Sequence, residues 1–107
     1  MTAAGWASNV ALGPLTTCRV GGAARWLVAA HDNAERVASA ARLQGREVLV
    51  VGKGSNLLVC DAGFDGVVVH LGDAFAGVEV DAATSSVRAG GAAFLPVVAR
   101  RSVAAGL

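Results

Sequence analysis

Aromatic residues are scarce in this 107-residue chain, at 5%, with no tyrosine, two tryptophans and three phenylalanines. A core of stacked rings is excluded, so what is buried must be aliphatic. Charge is equally thin: only 16% of residues are charged, and 9 Lys+Arg against 8 Asp+Glu leave a net +1. The basic excess needed to neutralise a phosphate backbone is missing, which argues against nucleic acid as a partner. The two cysteines, Cys18 and Cys60, lie far apart, with no CxxC pair and no histidine at ligand spacing. That pattern builds neither a zinc site nor a disulfide framework, and predicts reduced thiols packed inside the fold, with no metal. No apolar run approaches the ~18 residues of a membrane span, and the first residues lack the basic and apolar regions of a signal peptide. A membrane partner is not expected, no protein partner is inferred, and the expected compartment is cytoplasmic.

What the chain does have is small apolar residues and glycine. Hydrophobic residues reach 54% and glycine 14 of the 107 positions, about twice the usual ~7%. That is enough Val, Leu and Ala to offset chain entropy, so disorder is not expected. The length suits one domain, which would bury roughly two thirds of its unfolded surface.

Residues 1–13 are small, polar and aperiodic and read as an irregular lead-in, with the domain running over 14–107. Trp26-Leu27-Val28-Ala29, between Gly21-Gly22 and His31-Asp32-Asn33, reads as a strand over 25–30. Asp32 followed by Glu35 has the spacing of a capping box, so a helix should start there. Ala34, Val37, Ala38 and Ala41 then share one face, and Gly45 stands where a left-handed cap would end the helix. Val48-Leu49-Val50-Val51 follows without polar alternation, which predicts a strand buried on both faces in a parallel sheet covered by helices. Together these segments predict a right-handed βαβ unit.

Residues 52–65 read as a glycine-studded loop, and Val67-Val68-Val69 as the next strand. Residues 76–80 and 87–89, separated by the polar stretch 81–86, read as a hairpin. Pro96 fits the first turn of a closing helix, where its missing N–H costs nothing. The fold class is thus α+β, with a small parallel α/β part followed by the start of an antiparallel one.

The chemically informative segment is Gly52-Lys53-Gly54-Ser55-Asn56, directly after an apolar strand. Glycines allow a sharp turn and a close backbone approach, and successive N–H groups in such a turn form an anion-binding nest. Ser55 and Asn56 add side-chain donors, which suits a phosphate or pyrophosphate at the carboxyl end of a parallel strand. Lys53 need only point to solvent. A P-loop is excluded because Gly54 follows Lys53, and a Rossmann fingerprint because Leu57 stands where its third glycine belongs. By itself a glycine-rich turn after a strand is more often a plain structural turn. His31 and His70 are far from each other in sequence, Arg100-Arg101 reads as a solvated helix face, and no Ser-His-Asp arrangement stands out.

Gly52-Lys53-Gly54-Ser55-Asn56-Leu57-Leu58-Val59, continuing through Asp61, Gly63-Phe64 and Gly66-Val67-Val68-Val69, resembles the flavin-binding signature of the UDP-N-acetylenolpyruvoylglucosamine reductase family. Thr17-Cys18-Arg19-Val20-Gly21-Gly22 resembles that family's early Thr-x-Arg-Val-Gly-Gly element, and Val87-Arg88-Ala89-Gly90-Gly91-Ala92 a later strand and turn. The resemblance spans residues 14–107, and three motifs in order are far more specific than any one. Departures fall at Thr16, where Asn is common, and at Cys18, where a larger residue is common.

The resemblance implies a vanillyl-alcohol-oxidase-type (PCMH-type) FAD-binding domain, here as its N-terminal part. In that scheme Val51, Gly52, Lys53, Gly54, Ser55, Asn56 and Leu57 cradle the FAD pyrophosphate. It further implies NADPH as hydride donor and a UDP-sugar substrate, reduced at an enolpyruvyl double bond to give UDP-N-acetylmuramate for peptidoglycan. The family's Arg, Glu and Ser that stabilise the enolate and supply the proton find no counterpart up to Leu107, so no catalytic residue is assigned, and the 107 residues are expected to be inactive alone. Two other readings remain at this point: an oxidase of the same fold with flavin tethered through Cys60, His31 or His70, and a non-catalytic nucleotide-binding module.

Overall fold

The computed structural model describes residues 6–107, and along them the elements are β1 (Ala7–Ala11), β2 (Ala23–Ala30), α1 (Ala34–Leu43), β3 (Val48–Val51), β4 (Phe64–Leu71), β5 (Val78–Asp81), β6 (Ser86–Ala89) and α2 (Leu95–Ala104). Val67, Val68 and Val69 are each fully buried, and the larger sheet is organised around them. Its order is β1-β2-β4-β3, with β4 parallel to both β2 and β3, and β1 antiparallel to β2. A second, two-stranded sheet pairs β5 with β6 antiparallel, Val78 opposite Ala89 and Asp81 opposite Ser86. The α+β class and the hairpin are as expected, and Asp81 Oδ1 accepts from the N–H groups of Ala83 and Thr84 to shape the turn.

Several details differ from expectation. Within the lead-in, residues 7–11 are a strand, registered from Ala7 opposite Leu27 to Ala11 opposite Ala23; residues 1–5 lie outside the described part. Ala-Ser-Asn-Val-Ala has little intrinsic preference for extended structure, so here the neighbouring strand supplies the order. The strand buried on both faces is β4, while β3 lies at the edge with Val50 51% exposed. An apolar run reports burial but not position in the sheet, and β4, entering later in the chain, takes the place between β2 and β3. The two strands flanking α1 are therefore parallel but not adjacent.

At the start of α1 the N-cap is Asn33, without a side-chain cap bond, so the Asp32–Glu35 box does not form. The far end does follow expectation. Gly45 has φ +75°, its N–H donates to Arg42 O at 2.9 Å, and that of Arg46 to Ala41 O at 3.1 Å. Those two bonds satisfy carbonyls the helix would leave open.

Among the described residues, an α-helix covers one face of the larger sheet. Val28, Ala30, Val67, Val69 and Leu71 pack with Val37 and Ala41 of α1 and with Ala92. On the other side, Leu12, Ala24, Val51 and Val68 form a second cluster, joined by Leu15 from the 3-10 turn Gly13–Leu15 and by Leu57 and Val59 from irregular segments. Helices on both faces were expected. Instead the residues leading into β2 and the long β3–β4 connection lie across this core, which brings two of the glycine motifs onto one surface. α2 has Pro96 in its first turn and no fully buried residue, and Arg101 ties it to β5 by donating from Nη1 to Val78 O at 2.6 Å.

Candidate functional site

The segment from Val51 to Leu57 is anchored at both ends. Val51 is 3% exposed and opposite His70 in register, and Leu57 packs on the cluster containing Leu12 and Val68. Between these anchors the chain arches outward: Gly52, Lys53 and Gly54 are half-buried, while Ser55 and Asn56 are exposed. Among the described residues, the backbone N–H groups of Lys53, Gly54, Ser55 and Asn56 donate to no protein acceptor. Four consecutive free donors beside two polar side chains are chemically suited to an anion with several oxygens.

The glycines of the arch serve a purpose that sequence reasoning did not assign. At Gly54, where φ is +67°, a Cβ would collide with the Leu15 carbonyl and lie 3.1 Å from the Thr16 Cα. A Cβ on Gly52 would collide with the Gly91 carbonyl. Both positions are small because other backbone segments press on them. Gly54 O accepts from Thr17 N–H at 3.1 Å, completing the contact on one side.

Similar close approaches join the other motifs. At Gly21, with φ +122°, an added Cβ would run into Val59, and Gly22 lies against Asp61 and Gly63 while its N–H donates to Cys60 O at 2.8 Å. Gly90 lies against Phe75 and donates to Gly77 O at 3.0 Å. The segments 17–22, 52–59 and 87–92 thus meet, and the Gly52–Gly54 arch sits between the first and the third.

Thr16 is the buried polar residue of this region, 4% exposed. Its Oγ1 donates to Gly13 O and accepts from Arg19 N–H, both at 3.0 Å, closing the turn whose Leu15 and Thr17 touch Gly54. Lys53 does not simply face solvent: its Nζ stands 4.8 Å from the centroid of the Phe94 ring, at the residue that caps α2. Thr16, Gly91 and Phe94 were not singled out from the sequence as site residues, although the Gly-Gly pairs 21–22 and 90–91 signal close backbone approach.

Other candidates fall elsewhere. Cys18 and Cys60 are free, as expected, but exposed rather than packed. His31 is exposed, and His70 is half-buried beside the start of the arch. Arg100 is solvated, whereas Arg101 holds Val78 O. Among the described residues no group of three or more His, Cys, Asp or Glu is placed to hold a metal ion, and no helix is long and apolar enough to cross a membrane.

Two open hollows of about 560 and 510 Å³ share Arg25, Trp26 and Asp65 at the amino ends of β2 and β4. They contain none of Val51–Leu57. Arg25 pairs with Asp65 across them, and the Arg46 guanidinium lies 3.6 Å from the centre of the Trp26 ring. Both hollows hold balanced charge and exposed pairs of little energetic weight. Donor chemistry, rather than concavity, selects the arch.

Residues 23–107 match the protein family described as "FAD binding domain". Among curated proteins, the chain is 44% identical over 100 residues to the UDP-N-acetylenolpyruvoylglucosamine reductase of Paracoccus denitrificans, covering 92% of this chain and 32% of that protein. The protein of the same name from Heliobacterium modesticaldum is 38% identical over 104 residues, 95% of this chain and 32% of its own length. That of Synechococcus sp. strain JA-3-3Ab is 48% identical over 65 residues, 59% of this chain and 21% of its own. The chain spans about a third or less of the length of these curated relatives.

Proposed function

We propose, from the premise that this chain belongs to the FAD-binding domain family, that the arch from Val51 to Leu57 is its pyrophosphate cradle. We also propose that the chain forms the flavin-holding part of a cytoplasmic reductase that converts UDP-N-acetylenolpyruvoylglucosamine to UDP-N-acetylmuramate with NADPH. The observation that carries the cradle is the run of four free N–H groups at Lys53–Asn56. The reaction and the sugar-nucleotide substrate rest on the names of the relatives.

The residues fit such a group. A pyrophosphate needs several donors converging on neighbouring oxygens, and backbone N–H groups held by a fixed turn offer them without side-chain entropy loss. Gly54 gives the turn its left-handed step, Ser55 and Asn56 flank it with a hydroxyl and an amide, and Val51 and Leu57 pin its ends into the core. When bound, FAD supplies a ring system that takes up and passes on a hydride. The part of this chain is to hold the cofactor and to leave its reactive ring outside the arch. No residue of the chain is assigned to proton transfer.

The test has two arms. FAD titrated into flavin-free protein, followed by flavin fluorescence, should saturate, and saturation should weaken when Gly54 is replaced. Protein of the relatives' full length should oxidise NADPH only when the enolpyruvyl sugar nucleotide is present. Saturable binding unchanged by replacing Gly54 would remove the arch from the site, and NADPH oxidation indifferent to that substrate would remove the reductase assignment.

A further inference from the structure

The arch is built from residues 52–56, yet nothing within it fixes its height above the sheet. That is set from outside, by the Gly91 carbonyl at Gly52 and, at Gly54, by the Gly13–Arg19 turn. Its Leu15 carbonyl is pressed onto Gly54, the Thr16 Cα lies just behind, and its Thr17 N–H donates to Gly54 O at 3.1 Å. The turn is stiffened from within by one side chain, Thr16, whose Oγ1 takes part in two bonds at 3.0 Å, to Gly13 O and from Arg19 N–H. With Thr16 only 4% exposed, water has little access to replace either partner. Arg19 has φ +57°, a conformation a non-glycine residue adopts at a cost, and the bond from its own N–H to Thr16 helps hold it there.

We propose that Thr16 is a positioning residue for the Lys53–Asn56 donors: its buried hydroxyl locks the turn whose backbone sets where Gly54, and hence the row of free N–H groups, stands. It acts through Leu15 and Thr17 and touches no ligand. The link to cofactor affinity rests on the reading of the arch as the pyrophosphate cradle. The link from Thr16 to the geometry of the arch does not.

The variants are Thr16→Val, which keeps the shape and removes both bonds, and Thr16→Ser, which keeps the hydroxyl. Thr17→Pro deletes the N–H that Gly54 O accepts, at a position preceded by extended backbone (Thr16 φ −121°, ψ 156°), as proline prefers. Each is made in the full chain and read in two ways. Amide hydrogen exchange without cofactor follows 13–19 and 52–57, and FAD titration follows affinity.

In Thr16→Val, exchange should quicken in both segments while β4 stays protected, and FAD affinity should fall about tenfold, ~1.4 kcal/mol. Thr16→Ser should restore both. Unchanged exchange at 52–57, or unchanged affinity despite faster exchange, would overturn the proposal. Should Thr16→Val fail to fold, Thr17→Pro carries the same expectations and the same refutations. If the parent chain binds no FAD, the cradle reading fails, while the exchange comparison between the Val and Ser variants still decides the role of Thr16.

Discussion

Replacing Gly54 by valine tests the cradle most directly, because the cost follows from two separate observations. The position has φ +67°, and a side chain there costs about 1–2 kcal/mol, more for a branched one. A Cβ also meets the Leu15 carbonyl, which is backbone and does not rotate aside. The arch can relieve that collision only by lifting away, which gives up the bond from Thr17 N–H to Gly54 O, worth about 1 kcal/mol. The total is about 2–3 kcal/mol, concentrated in a loop whose ends stay anchored. Binding has to restore the original arch, so the penalty emerges as a loss of FAD affinity of about 30- to 150-fold.

Lys53→Ala is the comparison. It removes one partly exposed cation–ring contact with Phe94, worth about 0.5–1 kcal/mol, or about two- to fivefold in affinity. Titration of flavin-free protein with FAD, alongside circular dichroism to establish that both variants are folded, gives the ratio. Equal affinities for the two variants would refute the argument that a fixed backbone arch does the binding.

Gly45→Ala should cost about 1 kcal/mol of stability through its left-handed backbone alone, since no atom stands within 4 Å of an added Cβ; a shift in denaturant midpoint without any change in FAD affinity is the expected readout. Val68→Ala, at a fully buried position of the central strand, should destabilise by about 2 kcal/mol, measured by urea unfolding. Cys18 and Cys60, both exposed and unpaired, should each react with a thiol reagent in the native state, and protection of either until denaturation would contradict the structure. Residues 1–107 alone should show no enolpyruvyl-dependent NADPH oxidation. They should also bind FAD at least about tenfold more weakly, ~1.4 kcal/mol, than protein of the relatives' full length, and emerge colourless from desalting.

Sequence and structure agree best where a signal is local. Gly45 ends its helix as the spacing requires, Pro96 opens the last one, and the polar stretch 81–86 turns a hairpin, because each depends on the conformational range of a few neighbouring residues. The position of β3 was not legible, since Val48–Val51 is as apolar as a central strand and only the later entry of β4 makes it an edge. The strand at 7–11 was hidden for the opposite reason, having composition too weak to announce a strand that β2 nonetheless pairs. At the candidate site, the residues of the arch could be named from glycine spacing and from resemblance. What presses on those glycines could not, because Leu15 and Gly91 each lie 39 positions from the glycine they touch and carry no side-chain signature of the contact.

The β5–β6 hairpin has a bearing on binding that distance along the chain conceals. All four residues of β6 are exposed, two strands alone are marginal in water, and the neighbouring α2 buries none of its own residues. Units with so little buried surface generally open at a lower free energy than the whole domain. Yet the Gly91 carbonyl that presses on Gly52 is carried on the turn leaving this hairpin. An excursion of the hairpin that also draws Gly91 from its place beside the buried Ala92 withdraws one wall of the arch, and the apparent affinity for anything seated there is the intrinsic affinity multiplied by the fraction of molecules in which that wall is in place. A contact that clasps β5 and β6 more firmly would tighten binding at a distance without adding a single atom to the site.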